Sequence, residues 1–305
     1  MIETIDVSKE DFENLAKDFT NVDYLSVFEK DPYWPKWNNL WWKALVMYET
    51  DNFDLVPEMF IKYFYEVINK HYLHFFPFTL EEIPENANPY RNIICHCAMG
   101  AIIKFGIKKN IDIINNYPWI YEWIFKYQLP DGGYNCDEQA YTNSKKSSIL
   151  STISMAEAVL ELCKKTDNKK LTVVLEKCFD YFIKHRIFRS SKGDIIYPGW
   201  KDLTFPRFYE FDLLRGLNFI EEAALLLKKE IPYESIEETV ELLKFKQNDN
   251  GMFKTERIFH LDEGTLALEN DKWEFKKEVS TFPVLDKLLK RNAVNPFLKL
   301  KSRKK

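Results

Sequence analysis

Apolar residues recur along most of this chain at steps of three and four. In 144–165, Ile149, Ile153, Ala156, Leu160 and Cys163 keep that spacing; in 210–229, Leu213, Leu217, Ile220, Ala224 and Leu227 do the same. Such stripes are the apolar faces of helices. No segment alternates convincingly with a period of two, and Gly is scarce at 9 residues, so strand content is expected to be low. The pattern predicts helices near 10–19, 38–50, 56–75, 90–107, 117–128, 144–165, 169–187, 210–229, 235–247 and 278–291.

From residue 38 onward these helices fall into pairs. Connections within a pair are short, as at 106–116 and 166–168, while those between pairs (76–89, 129–143, 188–209, 248–277) are long. A short connection makes two helices antiparallel neighbours. If every unit is a hairpin, the long connections emerge at one end of the stack. Gln128, Arg189 and Gln247 recur at intervals of about 60 residues, as stacked hairpins require. The expected fold class is all-α: an α/α toroid of stacked helix hairpins in one domain spanning 1–305. Residues 1–37 would form N-terminal helices and a lead-in, and 293–305 a basic tail. No Gly/Ser-rich linker divides the chain.

Composition adjusts this picture in three places. Aromatics reach 16%, with 24 Phe, 16 Tyr and 8 Trp, enough to fill a wide core or to line a ligand cavity. The formal net charge is -4 with both signs interspersed, which gives nucleic acid no basic surface. The one basic run is Lys299, Lys301, Arg303, Lys304 and Lys305, read as a solvated terminus. Five cysteines, an odd count with no leader-like apolar segment, point to reduced thiols and a cytoplasmic location. No run of 18 apolar residues suggests a membrane span.

Two of the long connections open alike: 128–134 reads QLPDGGY and 247–253 reads QNDNGMF. Asp131-Gly132 and Asn250-Gly251 are turn formers that leave a helix through positive φ. The motif, Gln-x-x-Asp/Asn-Gly-x-aromatic, resembles the QW repeat of squalene and oxidosqualene cyclases and of protein prenyltransferase β-subunits. DPYWPKWNNLWW at 31–42, DGGYNCD at 131–137, HRIFRSSKGDII at 185–196 and TFPRFYEFDLLRGL at 204–217 are similar to an uncharacterised branch of bacterial squalene-cyclase-like proteins. The likeness runs from about residue 31 to 292 and implies a terpenoid-cyclase or prenyltransferase-like α/α barrel. The signature acids of that chemistry are missing. No Asp-x-Asp-Asp or Asp-Asp-x-x-Asp occurs, and Cys136 directly precedes Asp137 instead of following an Asp by two. A His that the likeness implies within 147–152 is replaced near that place by Leu150.

Three groups carry candidate chemistry. Asp131, Tyr134, Cys136 and Asp137 crowd one loop, where a thiol and carboxylates can act as ligands, nucleophile or base, or simply hold a loop by Asx-turns. Arg189, Tyr197, Arg207, Tyr209, Asp212 and Arg215 form a second group. Arg189 and Arg207 suit an anionic substrate or loop salt bridges, and Asp212 and Arg215 stand at i, i+3, where they can pair. Trp34 and Trp37, with Lys36, Trp41 and Trp42, form either a ligand wall or a barrel plug. The expected catalytic residues are Asp131, Asp137 and Asp212. The expected substrate contacts are Trp34, Trp37, Tyr134, Cys136, Arg189, Tyr197, Arg207 and Tyr209.

No metal ligand is expected. Cys95-His96-Cys97 lies in the predicted helix 90–107, where residues one and two apart point in different directions. The expected partner is an apolar, isoprenoid-like small molecule, with the cofactor left open. A carbohydrate-active α/α barrel and a non-catalytic scaffold remain alternatives. Close, solvated carboxylates at 131 or 137 and 212 would favour sugars, and a barrel centre filled by its own side chains would favour the scaffold.

Overall fold

The computed structural model describes residues 2–258 and 281–301. Helices dominate, as the apolar spacing predicts. They are α1 (Lys9–Ala16), α2 (Val22–Lys30), α3 (Leu40–Glu49), α4 (Glu58–His71), α5 (His96–Lys108), the single turn α6 (Ile113–Asn116), α7 (Pro118–Lys126), α8 (Ile149–Lys165), α9 (Lys169–Lys184), α10 (Leu213–Leu227), α11 (Tyr233–Lys246) and α12 (Pro283–Leu288). Among these, α2 falls in a stretch left without a helix by the sequence pattern. Its start is set locally: Asn21 caps it by accepting from the Asp23 N–H.

Burial sorts the helices into two kinds. In α3, α5, α8 and α10 most residues are buried, on more than one face, whereas α4 and α9 bury one stripe, such as Leu171, Val174, Leu175, Cys178, Phe179 and Phe182 of α9. A helix apolar all round must be enclosed by others, and a striped one faces water. The contacts agree: α5 packs on α8 and α8 on α10, while α9 lies against α8, α10 and α11. The α5–α8 crossing is close because Gly100 has no side chain. A Cβ there would stand 2.4 Å from the Ser154 carbonyl oxygen.

The striped helices α7, α9 and α11 each run into the same turn. At 128–133 the Leu129 N–H donates to Gly133 O (2.8 Å) and the Gly132 N–H to Leu129 O (2.9 Å). Ser190 to Asp194 and Gly193 to Ser190 repeat these bonds, as do Asn248 to Met252 and Gly251 to Asn248. Gly132, Gly193 and Gly251 all take positive φ, where a side chain would be strained. Gln128 and Gln247 each donate from Nε2 to the carbonyl of that glycine, at 3.0 Å in both copies, and Arg189 does so from Nη1. The 60-residue recurrence is thus a recurring turn.

One segment departs from the sequence reading. The segment read as a basic tail includes β2 (Val294–Lys299), which pairs antiparallel with β1 (Met252–Lys254) and buries Val294 and Leu298. Burial along this strand does not alternate residue by residue, since Val294 and Asn295 are both buried, so no period-two signal marks it in the sequence. Residues 302–305, His260, most of the expected connection 248–277 and the first residues of the helix expected at 278–291 lie outside the described residues.

A charged network fills the space between α5, α8 and α10. Arg215 holds Glu157 through two nitrogens at 2.7 Å, and Lys104 Nζ reaches the same carboxylate at 2.8 Å. Burial alone would raise the Glu157 carboxyl, but the charges of Arg215 and Lys104 overcome it and hold it well below the usual range. Asp212 is fully buried. It caps α10 by accepting from the Arg215 N–H and pairs with Arg207 (3.0 Å). The expected i, i+3 pairing of Asp212 with the Arg215 side chain is not made, because that guanidinium is turned to Glu157.

Candidate metal centre

Two segments far apart in sequence build the site. The first is the start of α5. This helix begins at His96, so Cys95 is its N-cap, with extended backbone (φ -89°, ψ 162°). An N-cap residue stands outside the helical spiral. Cys95 is therefore free of the angular step that separates neighbours inside a helix, and its sulfur reaches the side occupied by Cys97. The second segment is the loop after the turn at 128–133. The Cys136 N–H donates to Ser151 Oγ on α8 (3.0 Å), and the Asn135 side chain donates to Lys146 O (2.9 Å).

Together these segments place the Sγ atoms of Cys95, Cys97 and Cys136 within 4.8 Å of one another, on three half-buried residues. Cys97 and Cys136 are 3.8 Å apart. Two thiolates bound at about 2.3 Å to a tetrahedral ion stand about 3.8 Å from each other, so this pair already has a ligand spacing. All five cysteines are free thiols. A helix starting near 90 would turn Cys95 and Cys97 apart, as the sequence predicts; the observed start at His96 leaves Cys95 at the cap, and Cys136 supplies the third sulfur.

The thiols share charge unequally. Hydrogen bonds from Cys95 and Cys97 hold the Cys136 thiol well below its ordinary value, against the effect of burial. The hydrogen bond to Cys136 in turn pushes Cys95 up to about 12 and Cys97 well above its usual value. Three sulfurs converging on one point are a set that a cation completes by displacing protons.

His96 is not a fourth ligand. Trp123 Nε1 can only donate, and it lies 3.0 Å from His96 Nδ1. That fixes the proton on Nε2, which donates to Tyr141 Oη at 2.8 Å; Tyr141 donates onward to Tyr127 O at 3.0 Å. Burial lowers the imidazole to about 4, so it is neutral at pH 7. Tyr141 Oη also accepts from the Asn135 N–H, next to Cys136. His96 thus ties the start of α5 to the cysteine loop, as the outer partners of a metal site do. Leu150, near the place where the family likeness implies a His, offers its carbonyl to the Cys97 thiol at 3.6 Å.

The expected site residues divide by what they touch. Asp131 accepts from the Ser147 N–H and hydroxyl, and Asp137, exposed, accepts from the Gln139 N–H in an Asx turn. With Asp212 capping α10, all three expected catalytic carboxylates hold backbone. Tyr134 is buried and donates to Ile124 O, Arg189 forks onto Glu238, and Arg207 onto Asp212. Tyr197 is half exposed and packs edge-on against Trp200.

Trp37 and Tyr209 do meet, at 6.2 Å between centroids, and Phe208 and Trp42 join them. Lys36 Nζ lies 5.0 Å from the Trp34 ring and 5.4 Å from that of Tyr209. Beside this wall is a cavity of about 10 Å³ that Tyr33, Trp41, Trp42, Phe208, Tyr209 and Cys97 line, room for one water. Cys97 belongs to both the thiol cluster and the aromatic wall.

Compared with family models, with curated proteins and with solved structures, the chain matches none. No helix among the described residues is long and apolar enough to cross a membrane.

Proposed function

We propose that this protein binds a thiophilic metal ion, zinc first, through Cys95, Cys97 and Cys136. The observation that carries this reading is the 3.8 Å separation of Cys97 and Cys136 with Cys95 in reach of both. Three sulfur ligands leave one tetrahedral position open, the pattern of zinc sites that act on a ligand. The open position suits water or a small molecule entering beside Cys97, where the aromatic wall begins. The scaffold is read as stacked hairpins closing toward an α/α toroid. The alternation of enclosed and striped helices and the thrice-repeated turn support this. An isoprenoid at the aromatic wall requires side chains to move, since the cavity there is water-sized.

The test is metal analysis of the purified chain, followed by titration of the stripped protein with zinc and with cobalt. One zinc per chain is expected. A cobalt complex with sulfur-to-metal charge-transfer absorption is expected too, absent in Cys136→Ser. Wild-type protein that takes up neither ion would end the reading.

A further inference from the structure

The thiol cluster joins two segments that also meet through the His96–Tyr141 hydrogen bond and through the rings of Tyr134 and Tyr141 against His96. Cys97 stands in the first turn of α5, and Cys136 lies 39 residues on, in a loop. Their sulfurs are 3.8 Å apart. A disulfide needs about 2.05 Å, so a closing movement of less than about 2 Å suffices, within reach of a side-chain rotation. Both residues are half-buried, which leaves a small oxidant a route to the sulfurs. The remaining two cysteines are differently placed. Cys178 is fully buried in α9 and accepts from Gln128 Nε2, and Cys163 lies in the last turns of α8.

We infer that the site is a peroxide-operated metal release, in which hydrogen peroxide joins Cys97 to Cys136 and leaves Cys95 as the only remaining sulfur ligand. This rests on the metal reading above. The step balances as follows. One sulfur attacks a peroxide oxygen, the O–O bond breaks, and hydroxide leaves, giving a sulfenic acid. The second sulfur attacks that sulfenic sulfur, the S–O bond breaks, and the oxygen departs as water. Two thiols are oxidised by two electrons, one peroxide is reduced to two waters, and the ion loses two of its three protein ligands. A single thiolate cannot hold zinc against water and chelators, so the ion leaves. A thiol reductant reverses the bond.

The experiment uses the full chain loaded with zinc, a colorimetric zinc chelator in solution, and hydrogen peroxide added stepwise. The expected result is one zinc released and two thiols lost per peroxide consumed. Peptide mapping should show a Cys97–Cys136 disulfide, and dithiothreitol followed by zinc should restore the loaded state. Cys163→Ser should behave as wild type, and its circular dichroism checks that the fold survives. If loaded protein keeps its zinc while peroxide is consumed, or if mapping finds the lost thiols paired elsewhere, the release inference is overturned and the metal site stands. If the chain binds no zinc at all, both fail, and the loading step alone reveals it.

Discussion

Two polar regions flank the aromatic wall, and they are built on opposite terms. In the network of Lys104, Glu157 and Arg215, opposite charges face one another between packed helices, with two cations closing on one carboxylate. In the thiol cluster, three like donors converge, with no cationic side chain closing on them as Lys104 and Arg215 close on Glu157 among the described residues. The first arrangement is complete as it stands, so it stabilises. The second is complete only when a cation arrives, so it binds. Buried polarity alone does not mark a site; convergence of like donors does.

The comparison breaks first at Glu157. Removing a carboxylate that compensates two buried cations costs about 3–5 kcal/mol. Glu157→Gln is therefore expected to lower the unfolding free energy by about 3 kcal/mol in urea titrations, with metal affinity per folded chain little changed. A loss below about 1 kcal/mol would show that the network is not the stabilising element described. Cys136→Ser should do the reverse, leaving metal-stripped stability within about 1 kcal/mol of wild type while weakening zinc binding at least about 100-fold, about 2.7 kcal/mol.

pH separates the two regions further. The folded Glu157 carboxyl lies below its unfolded value of about 4.3. Its stabilisation is thus present above that value and disappears as pH falls through and below it. Between pH 6 and pH 3 the wild type should lose more stability than Glu157→Gln. Metal affinity should fall earlier, already between pH 7.5 and 6, since zinc must displace protons from Cys95 and Cys97. The smallest effect concerns the repeated turn. Gln128 donates to Gly132 O and to Val174 O on α9, while Gln247, exposed, donates among the described residues to Gly251 O alone. Gln128→Ala should cost about 1–2 kcal/mol and Gln247→Ala about 0.5 kcal/mol in thermal unfolding.

Much of the helical framework was legible in advance, because apolar spacing reports burial directly. The expected helices at 169–187, 210–229 and 235–247 overlie α9, α10 and α11, with ends displaced by a few residues. The displacement at 90–107 mattered most. Six residues separate the expected start from His96, and they decide whether Cys95 is inside the helix or caps it. The loop position marks Cys136 in the sequence, whereas a helix starting near 90 argues against Cys95 and Cys97 as joint ligands, and no motif singles out Glu157 or Lys104. Nothing in a one-dimensional pattern marks the partner of a charge.

Local order in this protein follows from local sequence. Apolar periodicity makes the helices, and a Gln or Arg four residues before a glycine makes the same turn three times, because the bonds involved close within six residues. Which turn carries chemistry was settled only by packing. Four residues after Gly132 stands Cys136, while the same place after Gly193 and Gly251 holds Tyr197 and Thr255. Of these three positions, Cys136 is the one that folding sets against the cap of α5. Three sulfurs at one point require two segments 39 residues apart to meet, and a long-range meeting of that kind is fixed by the burial of whole helices and not by any residue's neighbours in the chain.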